Sequence, residues 1–188
     1  MKEPMKECVT EQENAKGELA LMTLRPSSFT ADEGASFAPG SRNHEMRVLH
    51  IVSGARWAGA EVQVFTLLKQ LHRQVNLHVI IMNPGELVDR CSELGIPVTP
   101  LEESRLSSLQ LFNITRSTLR DFQPHVVHTH RQKENIIGSL ANLFSCRAPS
   151  VRTVHGAPEF LPNFRQKLQR QVDTLCGKYL QKAVIAVS

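Results

Sequence analysis

The chain has 188 residues, of which 41% are apolar, 21% are charged and only 5% are aromatic. This composition is typical of a globular protein and excludes a collagen, a coiled coil or a fully disordered chain. No stretch approaches the roughly 18 consecutive apolar residues of a transmembrane helix, so we expect no membrane span. Residues 1–45 hold 5 basic and 8 acidic side chains, whereas residues 46–188 hold 17 and 10. A basic folded part favours anionic partners such as nucleotide phosphates, lipid headgroups or nucleic acid.

Residues 1–45 are rich in Gly, Pro, Ser, Glu and Lys and show little periodicity, which predicts a disordered tail. Their apolar run, residues 19–24, is too short for a signal peptide. Met46 directly precedes a predicted strand, so an alternative is that translation starts there and that residues 1–45 are a miscalled start. We therefore expect the folded domain to span residues 46–188. The four cysteines include no CxxC pair, which is typical of a reduced, cytoplasmic protein.

From residue 46 onward, β-rich runs alternate with amphipathic helical patterns. Nearly continuous apolar runs at 77–82 and 183–187 are typical of parallel strands buried on both faces. The predicted strands are 47–52, 77–82, 97–101, 125–129, 150–154 and 183–187, and the predicted helices are 60–72, 86–94, 107–120, 133–144 and 163–182.

This alternation predicts an α/β fold, a Rossmann-like open parallel sheet with helices on both faces. The expected strand order is 3-2-1-4-5, with strand six after strand five. Ligands of such sheets bind beyond the carboxyl ends of the strands, near the point where the strand order reverses. That point lies between the first and fourth strands, so the segments after residues 52 and 129 are the candidate site.

The segment after the first strand is built mostly of small residues that let a ligand approach the backbone: Ser53-Gly54-Ala55-Arg56-Trp57-Ala58-Gly59-Ala60-Glu61. The following helix N-terminus offers free N–H groups to phosphate or sugar oxygens. Glu61 either contacts a ligand or only complements the helix dipole, and Trp57 either packs over the loop or stacks on a ligand. The segment is not GxGxxG, which argues against a nicotinamide enzyme.

Histidines end the fourth and fifth predicted strands. His128 and His130 share one face of a strand, and they either bind a metal, fill a structural role or contact a substrate in the cleft. We expect no metal, because no carboxylate or cysteine lies near them in sequence. Arg131 and Lys133 follow and either pair with phosphate or form a solvated loop. After the fifth strand, a third histidine stands in a tight loop, His155-Gly156-Ala157-Pro158.

In this order, the landmarks resemble the N-terminal domain of family 4 glycosyltransferases, which are retaining enzymes with the GT-B fold. They are the small-residue loop with its Glu61 helix, the Val127-His128-Thr129-His130 run, the Val151-Arg152-Thr153-Val154-His155-Gly156 run, the basic helix and the Ala183–Ser188 strand. The resemblance covers residues 46–188, which would form one half of a GT-B fold. The runs that contain His130 and His155 are most similar to members that build bacterial surface polysaccharides or glycolipids.

The resemblance implies roles for individual residues. His130 would lie beside the transferred sugar and is the candidate catalytic residue. Gly59 matches the second glycine of the family's Gly-Gly loop, which approaches the donor. The remaining candidates are substrate-binding residues: Glu61, His128, Arg131, Lys133, His155 and Gly156. The implied ligands are a nucleotide-sugar donor, as co-substrate and with no cofactor, and a glycan or lipid-linked acceptor.

The sequence also departs from the family pattern. Ala58 replaces the first glycine of the loop, and its methyl group restricts the backbone there. The donor-binding C-terminal domain, with its Glu-x7-Glu motif, is not present, since the spacing occurs only between Glu3 and Glu11 in the predicted tail. We therefore expect a partner to supply that domain in trans, or the gene to be truncated, and the chain to be inactive alone. The alternative is a catalytically inert α/β binding module.

The helix predicted at 163–182 is basic and carries an apolar stripe of Phe164, Leu168, Val172, Leu175 and Tyr179. It is either an ordinary surface helix packed on the sheet or a contact with an anionic membrane at the inner face. Two further classes remain: a metal hydrolase built on the three histidines, and a nicotinamide enzyme. We expect no nucleic-acid binding, because only the basic charge favours it and no recognised module is present.

Overall fold

A computed structural model of the chain describes residues 11–13, 19–21, 46–155 and 164–187. The chain divides into two units, Met1–Asn43 and His44–Ser188. In the first unit, strand β1 (Glu11–Glu13) pairs antiparallel with β2 (Leu19–Leu21). These two short strands lie where the sequence predicts no regular structure, and the rest of the predicted tail lies outside the described residues.

The second unit contains a six-stranded sheet in which every neighbouring pair is parallel. The order along the sheet is β5-β4-β3-β6-β7-β8. This order confirms the predicted arrangement, with β3 and β6 as the two central strands at which the order reverses. The strands are β3 (Arg47–Ser53), β4 (Asn76–Met82), β5 (Val98–Leu101), β6 (Val126–His130), β7 (Ser150–His155) and β8 (Ala183–Val187).

Five helices follow the strands and agree with the predicted ones to within a few residues: α1 (Gly59–Leu71), α2 (Glu86–Glu93), α3 (Ser108–Phe122), α4 (Gln132–Leu143) and α5 (Phe164–Leu180). Local signals set two of their ends. Ser107 and Gln110 form a reciprocal capping box at the start of α3. Gly95, with φ of 69°, ends α2 in the left-handed conformation that glycine adopts without strain.

The sheet separates two apolar cores, as alternation along the strands requires. One face, with Val48 and Val52 of β3, packs against α1 and α2. The other face, with Leu49 and Ile51, packs against α3 and α4. Because His50 alternates with Leu49 and Ile51, it lies on the α1 face of the sheet.

One expectation about buried surfaces is wrong. Strand β8 is apolar throughout, yet four of its five residues are exposed, because it lies at the edge of the sheet. Helix α5 does not bury its apolar stripe, since Leu168, Leu175 and Tyr179 are 55%, 55% and 68% exposed. It buries Asp173 instead, whose carboxylate pairs with Arg152 of β7 at 2.8 Å. None of the described helices is both long enough and apolar enough to cross a bilayer.

Candidate functional site

The two segments singled out by the strand order meet at one edge of the sheet. Strand β3 ends at Ser53 and leads into α1, while β6 ends at His130 and leads into α4. The two strands pair directly, with His50 opposite His128. The starts of α1 and α4 therefore lie together beyond β3 and β6, around a small cavity of about 10 Å³ lined by Val52, Ser53, Ala60, Glu61, Val64, His130 and Arg131.

Glu61 and Arg131 connect the two helix starts. The Arg131 guanidinium donates a 2.6 Å hydrogen bond to Glu61 Oε1, and the Glu61 side chain is only 2% exposed. The other carboxylate oxygen, Oε2, is buried and has no hydrogen-bond partner among the described residues. Glu61 therefore does more than complement the helix dipole, because a buried carboxylate is stable only with a paired cation. Arg131 itself has a positive φ of 50°.

The small residues of the β3–α1 loop have different roles. A Cβ on Gly54 would lie 2.6 Å from Ile81 Cγ2 and 2.8 Å from the Asn83 carbonyl oxygen, so this position accepts only glycine. At Gly59, in contrast, no neighbouring atom lies within 4 Å of the position that a Cβ would take, which leaves open space for an approaching group. Gly54 thus fixes the shape of the loop, whereas at Gly59 the backbone of the loop is accessible to an approaching ligand.

Trp57 packs on the protein in this structure. Its ring makes an edge contact with Phe65 at a centroid distance of 5.8 Å. The Arg90 guanidinium of α2 lies 4.3 Å from the Trp57 ring centroid, and Glu86 holds that guanidinium by hydrogen bonds of 2.6 and 2.9 Å. Of the two interpretations of Trp57, these contacts favour packing over the loop.

Three buried imidazoles lie side by side on the α1 face of the sheet. His128 Nε2 lies 2.8 Å from the Thr153 hydroxyl, and His50 Nδ1 lies 3.4 Å from His130 Nε2. Burial, and then the neighbouring His128, lower the pKa of His50 from 6.5 to about 3, so this ring is neutral. One ring nitrogen from each of the three histidines lies within 4.8 Å of the others.

The charged residues at the start of α4 are already partnered. Lys133 Nζ pairs with Glu103 at 2.8 Å, as Arg131 pairs with Glu61, so an incoming phosphate would compete with two carboxylates. Glu134 is buried in the same turn, and burial raises its pKa from 4.5 to about 7. The sequence left two interpretations of Lys133, a solvated loop and a contact with phosphate. The structure shows neither of them directly, because the Lys133 side chain pairs with Glu103.

The last two candidate residues follow β7. Thr153 is opposite His130 in the parallel pairing, so the backbone of His155 ends β7 at the same edge of the sheet. The His155 side chain and Gly156 lie outside the described residues. The structure therefore brings Glu61, His130 and Arg131 together around the cavity and stacks His128 on His130, while Lys133 pairs with Glu103. Gly59 does not line the cavity, but it begins α1 next to Ala60, which does.

Sequence reasoning missed three residues of this region: Gly54, His50 and Glu134. The burial of His50 could have been predicted, because it lies two residues from Val48 and two from Val52 in the first strand of the sheet and so shares their buried face. The burial of Glu134 could not have been predicted from the sequence, because acidic residues are common in the first turn of a helix. Only the packing around it shows that it is buried.

The comparisons with known proteins agree with this architecture. Residues 57–188 match the family model described as Glycosyltransferase Family 4. No curated protein matches the chain at a significant level of sequence similarity. Among solved structures, the Anabaena protein Alr3699/HepE in complex with UDP has a TM-score of 0.60 and 19% identity, over 74% of this chain and 37% of that one.

Two further structures have the same fold. A glycosyltransferase from Rickettsia africae has a TM-score of 0.55 and 20% identity, over 76% of this chain and 37% of that one. A UDP-GlcNAc 2-epimerase from Neisseria meningitidis, bound to UDP-GlcNAc, has a TM-score of 0.56 and 16% identity, over 75% and 40%. The chain thus spans well under half the length of these proteins. Since the family model covers more than half of the chain, the chain belongs to glycosyltransferase family 4.

Proposed function

We propose that the chain forms the acceptor-side half of a retaining glycosyltransferase, which moves a sugar from a nucleotide-sugar donor during the synthesis of a surface polysaccharide or glycolipid. The observation that carries the proposal is the meeting of Glu61, His130 and Arg131 at the carboxyl edge of β3 and β6. Structures of two similar proteins hold UDP or UDP-GlcNAc, which supports a nucleotide sugar as the donor.

The residues of this edge fit the separate tasks of such a transfer. His130 lies beside the transferred sugar, where an imidazole can hydrogen-bond a sugar hydroxyl. Gly59 lets the donor approach the backbone at the start of α1, where free N–H groups favour oxygen ligands. Arg131 is 44% exposed, so its guanidinium can reach an anionic group while Glu61 holds its position. His128, Lys133, His155 and Gly156 complete the substrate-binding set.

The transfer also needs groups that stabilise the leaving diphosphate, because negative charge develops there as the glycosidic bond breaks. In the described part of the chain, Arg131 and Lys133 at the start of α4 are each paired with a carboxylate, so even where Arg131 reaches an anionic group, its charge is partly neutralised by Glu61. A second, donor-binding domain therefore supplies these groups, either from further along the polypeptide or from a partner chain. On this proposal, the 188-residue chain alone transfers no sugar, and the reaction needs no metal or other cofactor.

We place the protein in the cytoplasm, with peripheral contact to the inner face of the membrane through α5. This helix exposes three apolar side chains and three cations, a combination that favours binding to anionic lipid surfaces. The residues are Leu168, Leu175 and Tyr179, with Lys167, Arg170 and Lys178. Flotation with vesicles that contain anionic lipid should carry the chain upward, and vesicles of neutral lipid should not. Equal flotation with both, or with neither, would contradict this contact.

The transfer proposal is tested by reconstitution. Extract and membranes from a strain that lacks the gene are mixed with radiolabelled UDP-glucose or UDP-GlcNAc and with the purified chain. If the reading frame continues into a donor-binding domain, that domain is expressed separately and added to every reaction. The unaltered chain should restore incorporation of label into lipid or polysaccharide, and His130→Ala should lower the rate by about 10²-fold or more. His72→Ala is the matched control, because His72 lies at the far end of α1, and it should restore full incorporation.

The remaining outcomes separate the alternatives. Turnover by the purified chain without extract would show that no second domain is needed. Absence of restoration, together with saturable binding of a glycan acceptor, would favour the inert binding module.

A further inference from the structure

The buried histidines of β3 and β6 form a cluster with the composition of a transition-metal site. His50, His128 and His130 are 0%, 7% and 3% exposed, and one nitrogen from each lies within 4.8 Å of the other two. The sequence argued against a metal because no carboxylate or cysteine lies near His128 and His130. The parallel pairing of β3 with β6 supplies the third ligand instead, since it places His50 directly opposite His128.

The spacing of two of these rings fits a shared ion. Two nitrogens bound to Zn²⁺ at 2.0–2.1 Å and separated by the tetrahedral angle lie about 3.3–3.4 Å apart. His50 Nδ1 and His130 Nε2 are 3.4 Å apart. Small rotations of the His128 ring, which stacks on His130 at a centroid distance of 4.3 Å, would close the third side of the site.

The surroundings of the cluster support the same conclusion. His128 Nε2 contacts the Thr153 hydroxyl, and an outer hydrogen bond of this kind orients a metal-binding histidine.

We propose that His50, His128 and His130 bind one divalent transition-metal ion of the imidazole-preferring class, such as Zn²⁺ or Co²⁺, with one coordination position left open. Three imidazoles without an oxygen ligand select these ions over Mg²⁺ and Ca²⁺, which require oxygen. On binding, the hydrogen bond between His50 and His130 is replaced by two metal–nitrogen bonds, and the ring that donated it shifts its single proton to its other nitrogen, so that all three rings stay neutral. The site shares His130 with the proposed transfer, but it is tested separately, because metal binding is measured without donor or acceptor.

The test is a titration of the full chain after removal of metals by a chelator. Calorimetry with Zn²⁺, and the visible absorption of Co²⁺ in a tetrahedral site, should each show one ion per chain, while Mg²⁺ should show none. His50→Gln should weaken Zn²⁺ binding by more than about 100-fold, and Thr153→Val by about 10–100-fold, the usual effect of losing an outer hydrogen bond. His72→Gln is the control and should bind Zn²⁺ like the unaltered chain.

Two results would overturn the proposal: no Zn²⁺ binding by the folded, unaltered chain, or equal binding by a folded His50→Gln variant. Should His50→Gln fail to fold, anomalous X-ray scattering from crystals of the unaltered chain grown with Zn²⁺ decides. A peak between the three rings supports the site, and a water there, or a peak only elsewhere, contradicts it. Each of these results leaves the reconstitution test of the proposed transfer unaffected.

Discussion

Replacing Glu134 by Gln should stabilise the protein at neutral and alkaline pH but have little effect near pH 5. Glu134 is 4% exposed, and burial raises the pKa of its carboxyl group from 4.5 to about 7. The charges around it only partly oppose this effect. Arg131 and Lys133 lower the pKa, but each already pairs with another carboxylate, and Glu103 raises it.

The sign follows from the two pKa values. The folded protein holds the Glu134 proton more tightly than the unfolded chain does, so the stability contributed by this group is greatest in acid. It falls as the pH rises from about 4.5 to about 7 and is constant above that range. One pKa unit corresponds to about 1.4 kcal/mol, so ionised Glu134 destabilises the fold by about 3 kcal/mol above pH 7. Glutamine keeps the shape of the protonated side chain and removes this cost.

The assay is urea unfolding followed by the fluorescence of Trp57, the sole tryptophan, between about pH 5 and pH 8. The stability advantage of Glu134→Gln should grow from less than about 1 kcal/mol to about 3 kcal/mol across this range. Glu93→Gln, at an exposed position of α2, is the matched control and should show no such trend. An advantage that is constant with pH, or that grows toward acid, would refute the reasoning.

Two further predictions concern stability. Asp173→Ala leaves the largely buried Arg152 without its carboxylate and should lower the free energy of unfolding by about 3–5 kcal/mol. Glu86→Ala removes only an exposed ion pair and should lower it by no more than about 1 kcal/mol. Similar losses for the two variants in urea unfolding would contradict this prediction. Gly54→Ala places a methyl group 2.6 Å from a neighbouring side chain and should lower the free energy of unfolding by about 1–3 kcal/mol. The methyl group of Gly59→Ala meets no atom within 4 Å, so this variant should melt within a few degrees of the unaltered chain. Equal melting temperatures for the two glycine variants would show that the loop relaxes freely.

The order of the sheet could be predicted from the sequence because it depends on features that are local along the chain. Buried apolar runs such as 77–82 mark strands, and capping signals such as Ser107 and Gly95 mark helix ends. Right-handed crossovers between parallel strands then leave few possible arrangements. The exposed side chains of β8 and the outward stripe of α5 could not be predicted in this way. Apolar periodicity shows which side chains share a face, but it does not show whether that face is covered.

The location of the site followed from the sequence for the same reason, since the reversal point between β3 and β6 is a property of strand order. The partners within the site did not. Glu61 and Arg131 are 70 positions apart, and His50 and His130 are 80 positions apart. Such pairs depend on strand register, helix rotation and burial, which are set by packing across the whole domain.

The sequence by itself therefore determined the element order, the class of fold and the edge of the sheet at which the candidate site lies. Only the tertiary structure decided that Glu61 is a buried ion-pair partner, that Glu134 titrates near neutral pH, and that a histidine of the first sheet strand joins two others. The physical reason is that backbone propensity and apolar periodicity act between near neighbours in the chain. Desolvation and pairing depend instead on what each side chain meets once the sheet and helices have assembled.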